Sequence, residues 1–265
     1  MNMPPSDTAA TESLLAFWRD AGVDACFEDG PVDRTHVQPP PALKAVARAT
    51  AAVVARPDTD AARTEARRLA AAAENMAALA DAIAGFGGCP LSGLGASRSV
   101  FARGDPAAPV LIIGEGPGTE EDAQGAPFVG QAGRLLDRML EAAGLTDRVF
   151  ITNTVYWKPP GNRSPTAQEQ AVCAPFVDRV CDLMRPRVVL LVGAAAARSV
   201  LGSEEGIMRL RGQWKDWHLP EGGFVVPVMP TLHPAFLLRQ PQAKRQVWAD
   251  LLALTARLDG HSTTA

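Results

Sequence analysis

Three side chains able to do chemistry stand just beyond apolar runs of the sequence. Glu115 follows Val110 to Ile113, inside Gly114-Glu115-Gly116-Pro117-Gly118. Asn153 follows Val149 to Ile151, and His233 lies in Thr231-Leu232-His233-Pro234 after the run Phe224 to Met229. A carboxylate stabilises a developing cation or takes a proton, and an imidazole exchanges one near neutral pH. A carboxamide presents a fixed donor beside a fixed acceptor. Structure alone rarely demands all three types together, so a shared site is expected. The Gly-rich loop does not fit a phosphate cradle. No Lys-Ser or Lys-Thr follows it, Pro117 interrupts the dinucleotide spacing, and Glu120, Glu121 and Asp122 would repel a pyrophosphate.

The surrounding pattern says what positions these residues. Val110 to Ile113, Val149 to Ile151, Val188 to Val192 and Phe224 to Met229 read as strands. Between and after them lie helical stretches at Gln131 to Ala143, Thr166 to Met184, an Ala-rich run to Leu201, and Pro241 to Leu258. Strands alternating with helices predict an α/β fold, a three-layer α/β/α sandwich with a mainly parallel four-stranded sheet. In such sheets ligands bind at the carboxyl ends of the strands, where Glu115, Asn153, Gly193 and His233 all fall. Residues 1–85 read as a helical, Ala-rich extension, with Leu14, Leu15, Phe17 and Trp18 on a mostly helical spacing. They carry no recognisable chemistry and are expected to form an arm or cap, with docking of a protein partner as the alternative. The catalytic domain is expected over 86–265.

Composition sets expectations against several classes. No apolar run approaches the ~18 residues of a membrane span, and the start lacks the basic-then-apolar pattern of a signal peptide. Four scattered cysteines in a chain of 265 residues favour a reducing, cytoplasmic setting over a disulfide framework. Residues 1–85 hold 12 acidic and 8 basic side chains, a net of −4, and the remainder 17 and 18, a net of +1. That balance neither supports nor excludes DNA, which needs a local basic face rather than a basic average.

Four motifs in order resemble family-4 uracil-DNA glycosylases. They are Gly114-Glu115-Gly116-Pro117-Gly118 with Glu121-Asp122 and Gly125 to Gly130; Ile151-Thr152-Asn153; Pro159-Pro160-Gly161-Asn162-Arg163; and His233-Pro234-Ala235-Phe236-Leu237-Leu238-Arg239. The resemblance covers roughly residues 86–258. It implies a monofunctional enzyme acting on uracil-containing DNA, expected to be a monomer in the cytoplasm. Phe128 takes the family's base-stacking position and Asn153 the position that tells uracil from cytosine. His233 takes the position of the donor to the uracil anion, and Glu115 that of the carboxylate serving the sugar cation and water. Gly116 adjoins the base, where better-known relatives hold an aspartate. Lys158 and Arg163 would contact phosphates, and Phe236, Leu237 and Arg239 belong to the segment that wedges into the minor groove. A glycosylase for hypoxanthine or xanthine, and a non-catalytic DNA-binding relative, are the competing readings.

The sequence also departs from that family, whose members hold a four-iron, four-sulfur cluster on four cysteines. The equivalent positions here are Phe86, Cys89, Trp157 and Cys173. Phenylalanine and tryptophan cannot ligate iron, and Cys181, eight residues beyond Cys173, is about 12 Å away along a helix. The expectation is therefore no metal and no cofactor, with aromatic packing in the cluster's place. The basic insertion by which some relatives capture the abasic sugar covalently is also missing, so turnover is expected.

Overall fold

The structure is a computed structural model that describes residues 59–220 and 223–260. The remaining positions, including the Leu14 to Trp18 pattern, Cys26 and most of the expected extension, lie outside the described residues. In chain order the elements are α1 (Thr59–Ala72), α2 (Met76–Ala84), β1 (Ala102–Gly104), β2 (Val110–Gly114), α3 (Thr119–Gln124), α4 (Gln131–Ala142), β3 (Val149–Asn153) and α5 (Ala167–Met184). Then follow β4 (Val188–Val192), α6 (Ala194–Leu201), α7 (Ile207–Leu210), β5 (Lys215–His218), β6 (Val225–Thr231), α8 (Pro234–Arg239) and α9 (Lys244–Leu258).

The four expected strands form the parallel centre, in the order β3-β2-β4-β6. Two further strands close the edges antiparallel, β1 on β3 and β5 on β6, so the sheet has six strands rather than four. Both additions are short, and β5, Lys-Asp-Trp-His, is mostly exposed. Polar edge strands of this kind resist edge-to-edge association and carry little apolar signal. The central strands β2, β3 and β4 are buried along their whole length, as parallel strands covered on both faces must be.

Alternation along the strands sorts the core into two layers. Leu111, Ile113, Val189 and Leu191 pack with α1, α2 and α5, whereas Val110, Ile112, Leu190 and Val192 pack with α4, α8 and α9. The result is the expected α/β/α sandwich. On the first face, α1 lays Ala62, Ala66 and Ala70 into the core at a four-residue spacing. Asn75 then breaks the Ala-rich stretch by capping α2, its side chain accepting from the Ala78 N–H at 2.9 Å. These two helices, grouped with the extension by composition, share one core with the sheet. Among the described residues no helix is long and apolar enough to cross a membrane.

Candidate active site

The carboxyl ends of β2, β3 and β6 converge as their strand register requires, with Gly114 directly opposite Asn153. An open cleft of about 430 Å³ lies over them, lined by Glu115, Gly116, Phe128, Arg163, His233 and Arg239 among others. Asn153 is 1% exposed and sits behind the cleft. A β-carbon on Gly114 would stand 2.5 Å from both Asn153 Oδ1 and the Phe128 ring. The missing side chain at Gly114 is therefore what lets the carboxamide and the ring approach each other. Asn153 Oδ1 is buried with no hydrogen-bond partner in the protein. Such an atom costs about 1–3 kcal/mol, which the fold has no structural reason to bear.

Phe128 is one of three non-glycine residues described at positive φ, at 55°, a conformation that persists only when its surroundings enforce it. Three contacts do so. Arg103 on β1 donates from Nε to the Pro127 carbonyl at 2.8 Å and from a terminal nitrogen to the Phe128 carbonyl at 3.4 Å. Glu121 on α3 accepts the Gly118 N–H at 3.1 Å with one oxygen and the Gly130 N–H at 2.9 Å with the other, tying the Glu115 loop to the Phe128 loop. Gly133 on α4 lies so close that a β-carbon there would fall 1.7 Å from the Phe128 carbonyl oxygen. These pinning roles escape sequence reasoning because Arg103 and Glu121 grip backbone atoms. Gly133 did leave a signal: an interior helical glycine costs about 1 kcal/mol.

His233 faces Phe128 with ring centroids 5.7 Å apart and planes 30° from parallel. It caps α8, its Nδ1 accepting the Ala235 N–H at 3.2 Å. An accepting Nδ1 assigns the ring proton to Nε2, which makes that nitrogen a donor. Burial lowers the imidazole's pKa below its ordinary 6.5, and Arg239 pushes it further down against the opposing fields of Glu115 and Glu121. At neutral pH the ring is therefore an uncharged donor. Glu115 is partly exposed at the cleft. Its backbone is fixed by Thr154, whose hydroxyl donates to the Glu115 carbonyl at 2.6 Å and accepts from Gln170.

The other expected contacts divide. Phe236 and Arg239, three residues apart on α8, both line the cleft. Leu237 does not: it is fully buried in the second core layer. One position along the helix, it turns wholly into the layer against which Phe236 packs only in part, so its place in a groove-entering wedge is corrected to core packing. Arg163 borders the cleft, but its guanidinium is engaged by Glu169 through two hydrogen bonds, of 2.9 and 2.6 Å. Lys158 stands 3.8 Å from Asp122. Burial raises the Asp122 carboxyl, but the Ser97 and Arg98 hydrogen bonds and the Lys158 charge together leave it below its ordinary value.

At the positions where the resembling family binds its cluster, Cys89 and Cys173 are buried and form no disulfide. Phe86 lies 6.5 Å from Trp157 and 5.2 Å, edge-on, from Phe176, and Tyr156 packs against both Trp157 and Phe176. Two thiols embedded in close-packed rings do not fit a group that takes four thiolates. Among the described residues no set of three or more His, Cys, Asp or Glu is arranged to hold a metal ion.

Comparison with known proteins places this geometry. The family model described as the uracil DNA glycosylase superfamily matches residues 101–252. A type-4 uracil-DNA glycosylase of Thermotoga maritima is 40% identical over 153 residues, covering 57% of this chain and 77% of its own. That of Sulfurisphaera tokodaii is 37% identical over 155 residues, covering 56% and 70%. A type-5 uracil-DNA glycosylase of Pyrobaculum aerophilum is 32% identical over 120 residues, covering 39% of this chain and 53% of its own. Glu115, Phe128, Asn153 and His233 all lie inside the matched span.

Proposed function

The chain belongs to the uracil DNA glycosylase superfamily, and on that premise we propose that it excises uracil from DNA, leaving an abasic site. It is a DNA N-glycosylase, a hydrolase of N-glycosyl bonds. One observation carries the choice of base: the buried, unpartnered Asn153 Oδ1 beside the Phe128 ring. A uracil extruded from the helix and laid on Phe128 offers its N3–H to that oxygen and takes the carboxamide N–H at O4. Cytosine presents an acceptor at N3 and a donor at C4, so the same amide rejects it.

Cleavage of the bond between base and sugar leaves negative charge on the uracil ring and an oxocarbenium-like sugar. The uncharged His233 donates from Nε2 to uracil O2 as that charge develops, with no proton lost to solvent. A preorganised donor of this kind stabilises charge only where it forms. Glu115, on the sugar side, opposes the cation and orients the water that completes hydrolysis. Arg239 and Phe236 meet the DNA at the cleft rim, while Arg163 holds the 159–165 loop through Glu169. No step passes through a metal cluster. We infer that the Phe86, Tyr156, Trp157 and Phe176 rings hold the region that relatives staple with iron and sulfur.

The test is strand cleavage. Labelled oligonucleotides carrying uracil, hypoxanthine, xanthine or thymine are incubated with the protein or with Glu115→Ala, then treated with alkali. Alkali-dependent cleavage at uracil alone, lost in the variant, is expected. Cleavage at a purine lesion instead would assign a different base, and cleavage nowhere would leave a DNA-binding protein without activity.

A further inference from the structure

Beyond the cleft, a fully buried carboxylate stands behind the strand that delivers His233. Asp250, on α9, is 2% exposed, as is Thr231 at the end of β6. The Thr231 hydroxyl donates to Asp250 Oδ2 at 2.6 Å. Arg211 grips the same carboxylate with two nitrogens and also donates to the Gln246 carbonyl of α9 at 2.8 Å. Next to it, the Gly212 N–H donates to the Pro230 carbonyl at 2.9 Å. Gly212 has φ +72, and a β-carbon there would lie 2.8 Å from Asp250 Oδ1. The chain beside Arg211 is thus packed directly against the acid.

A buried ion pair is a poor way to stabilise a core, since apolar residues of similar volume often do as well or better. What a carboxylate adds is direction, and here the direction is towards the site. Thr231 precedes His233 by two residues, and its carbonyl accepts the Gly193 N–H at 2.9 Å. Gly193, at φ +98, approaches the imidazole so closely that a β-carbon would stand 3.1 Å from His233 Cβ. The strand end is therefore held on one side by Asp250 and on the other by the β4–α6 turn, with only Leu232 between it and the ring. Burial raises the Asp250 carboxyl's pKa, and the Thr231 and Arg211 hydrogen bonds work against that rise.

We propose that Asp250 is a positioning residue for His233, acting through the Thr231 hydroxyl to set where the imidazole stands over the base. The proposal rests on the glycosylase reading above. It requires that loosening the Thr231–Asp250 bond cost rate and not DNA affinity. It also requires that the cost vanish once the imidazole is gone.

The experiment compares wild type, Thr231→Val, Thr231→Ser and Asp250→Asn, each alone and with His233→Ala. Single-turnover excision is measured on a uracil oligonucleotide, and affinity on one carrying the uncleavable 2′-fluoro uracil nucleotide. Thr231→Val is expected to slow excision by about 10–10²-fold with Kd within twofold, and Thr231→Ser to restore the rate. In the His233→Ala background the further loss should fall below about twofold, the signature of coupled residues. A full loss persisting in that background, or no loss from Thr231→Val, overturns the proposal. Should Asp250→Asn not fold, the threonine pair still decides. Should wild type excise no uracil, the glycosylase reading fails separately. The His233 imidazole proton resonances, assigned by their disappearance in His233→Ala, then decide the positioning: moved by Thr231→Val and not by Thr231→Ser if it holds, unmoved by either if not.

Discussion

At the carboxyl ends of the strands Phe128 is held at φ 55° and Asn153 keeps a buried oxygen without a partner. On the other face of the same sheet, Phe86, Trp157 and Phe176 pack ring against ring around Cys89 and Cys173, none at positive φ. The first region spends stability on a fixed arrangement of polar atoms, and the second gains it from contact area. Strain and orphaned polar atoms mark the place where a ligand, not the fold, completes the interactions. The second region carries one such atom, the Tyr156 hydroxyl, on a ring enclosed by Phe101, Trp157 and Phe176. The Asn153 oxygen is as deeply buried, but it adjoins Gly114 and the Phe128 ring that lines the cleft, and that position separates a binding group from a packing defect.

Substitutions should split the two regions cleanly. The largest effect belongs to Phe86→Ala, expected to cost about 3–5 kcal/mol of stability, measured by urea unfolding. Excision per folded molecule should stay near that of wild type. Iron and acid-labile sulfide analysis of the wild-type protein belongs with it, and a stoichiometric cluster would defeat the aromatic-packing account. Next is Gly114→Ala, whose β-carbon collides with Asn153 and Phe128. Single-turnover excision is expected to fall about 10²-fold, with the melting temperature changed far less than in Phe86→Ala.

A finer comparison separates the two arginines at the cleft. Arg239→Ala should lower the slope of log affinity against log salt by about one, as loss of a phosphate contact does. Arg163→Lys should leave that slope unchanged while breaking the two-pronged bond to Glu169. Tyr156→Phe should be neutral or raise stability by up to about 1 kcal/mol, because it deletes an unpartnered buried hydroxyl. The smallest effect is a pH dependence. His233 is buried uncharged with its pKa below the ordinary 6.5. Its contribution to stability is complete above that value and is lost as pH falls below it, where the unfolded chain binds the proton first. Thermal melts across that window should slope less in His233→Gln.

The strands at Val110, Val149 and Val188 were legible because each is an unbroken apolar run between breakers, and the one at Val225 because its apolar residues continue on both sides of Pro227. The convergence of Glu115, Asn153 and His233 followed from where those runs end. Ala102–Gly104 and Lys215–His218 were not legible, since three or four residues of mixed polarity carry no period. Leu237 was misplaced because a motif gives residue order but not helical face. Of the devices holding Phe128, Gly133 left the trace of a glycine inside a helix, while Arg103 and Glu121 stayed hidden because tertiary folding alone brings their backbone partners within reach. The same holds for Asp250 and Thr231, 19 residues apart in sequence.

The central claim is that the Asn153 carboxamide reads the base, and Asn153→Asp tests it most directly. The measurement is single-turnover excision by wild type and variant from matched oligonucleotides carrying uracil or cytosine at the same position. A carboxyl group, protonated or bridged by water, accommodates either pattern, so the variant is expected to excise uracil more slowly and to gain excision of cytosine that wild type lacks. A variant with unaltered preference for uracil over cytosine would contradict the assignment and move the reading of the base to another residue.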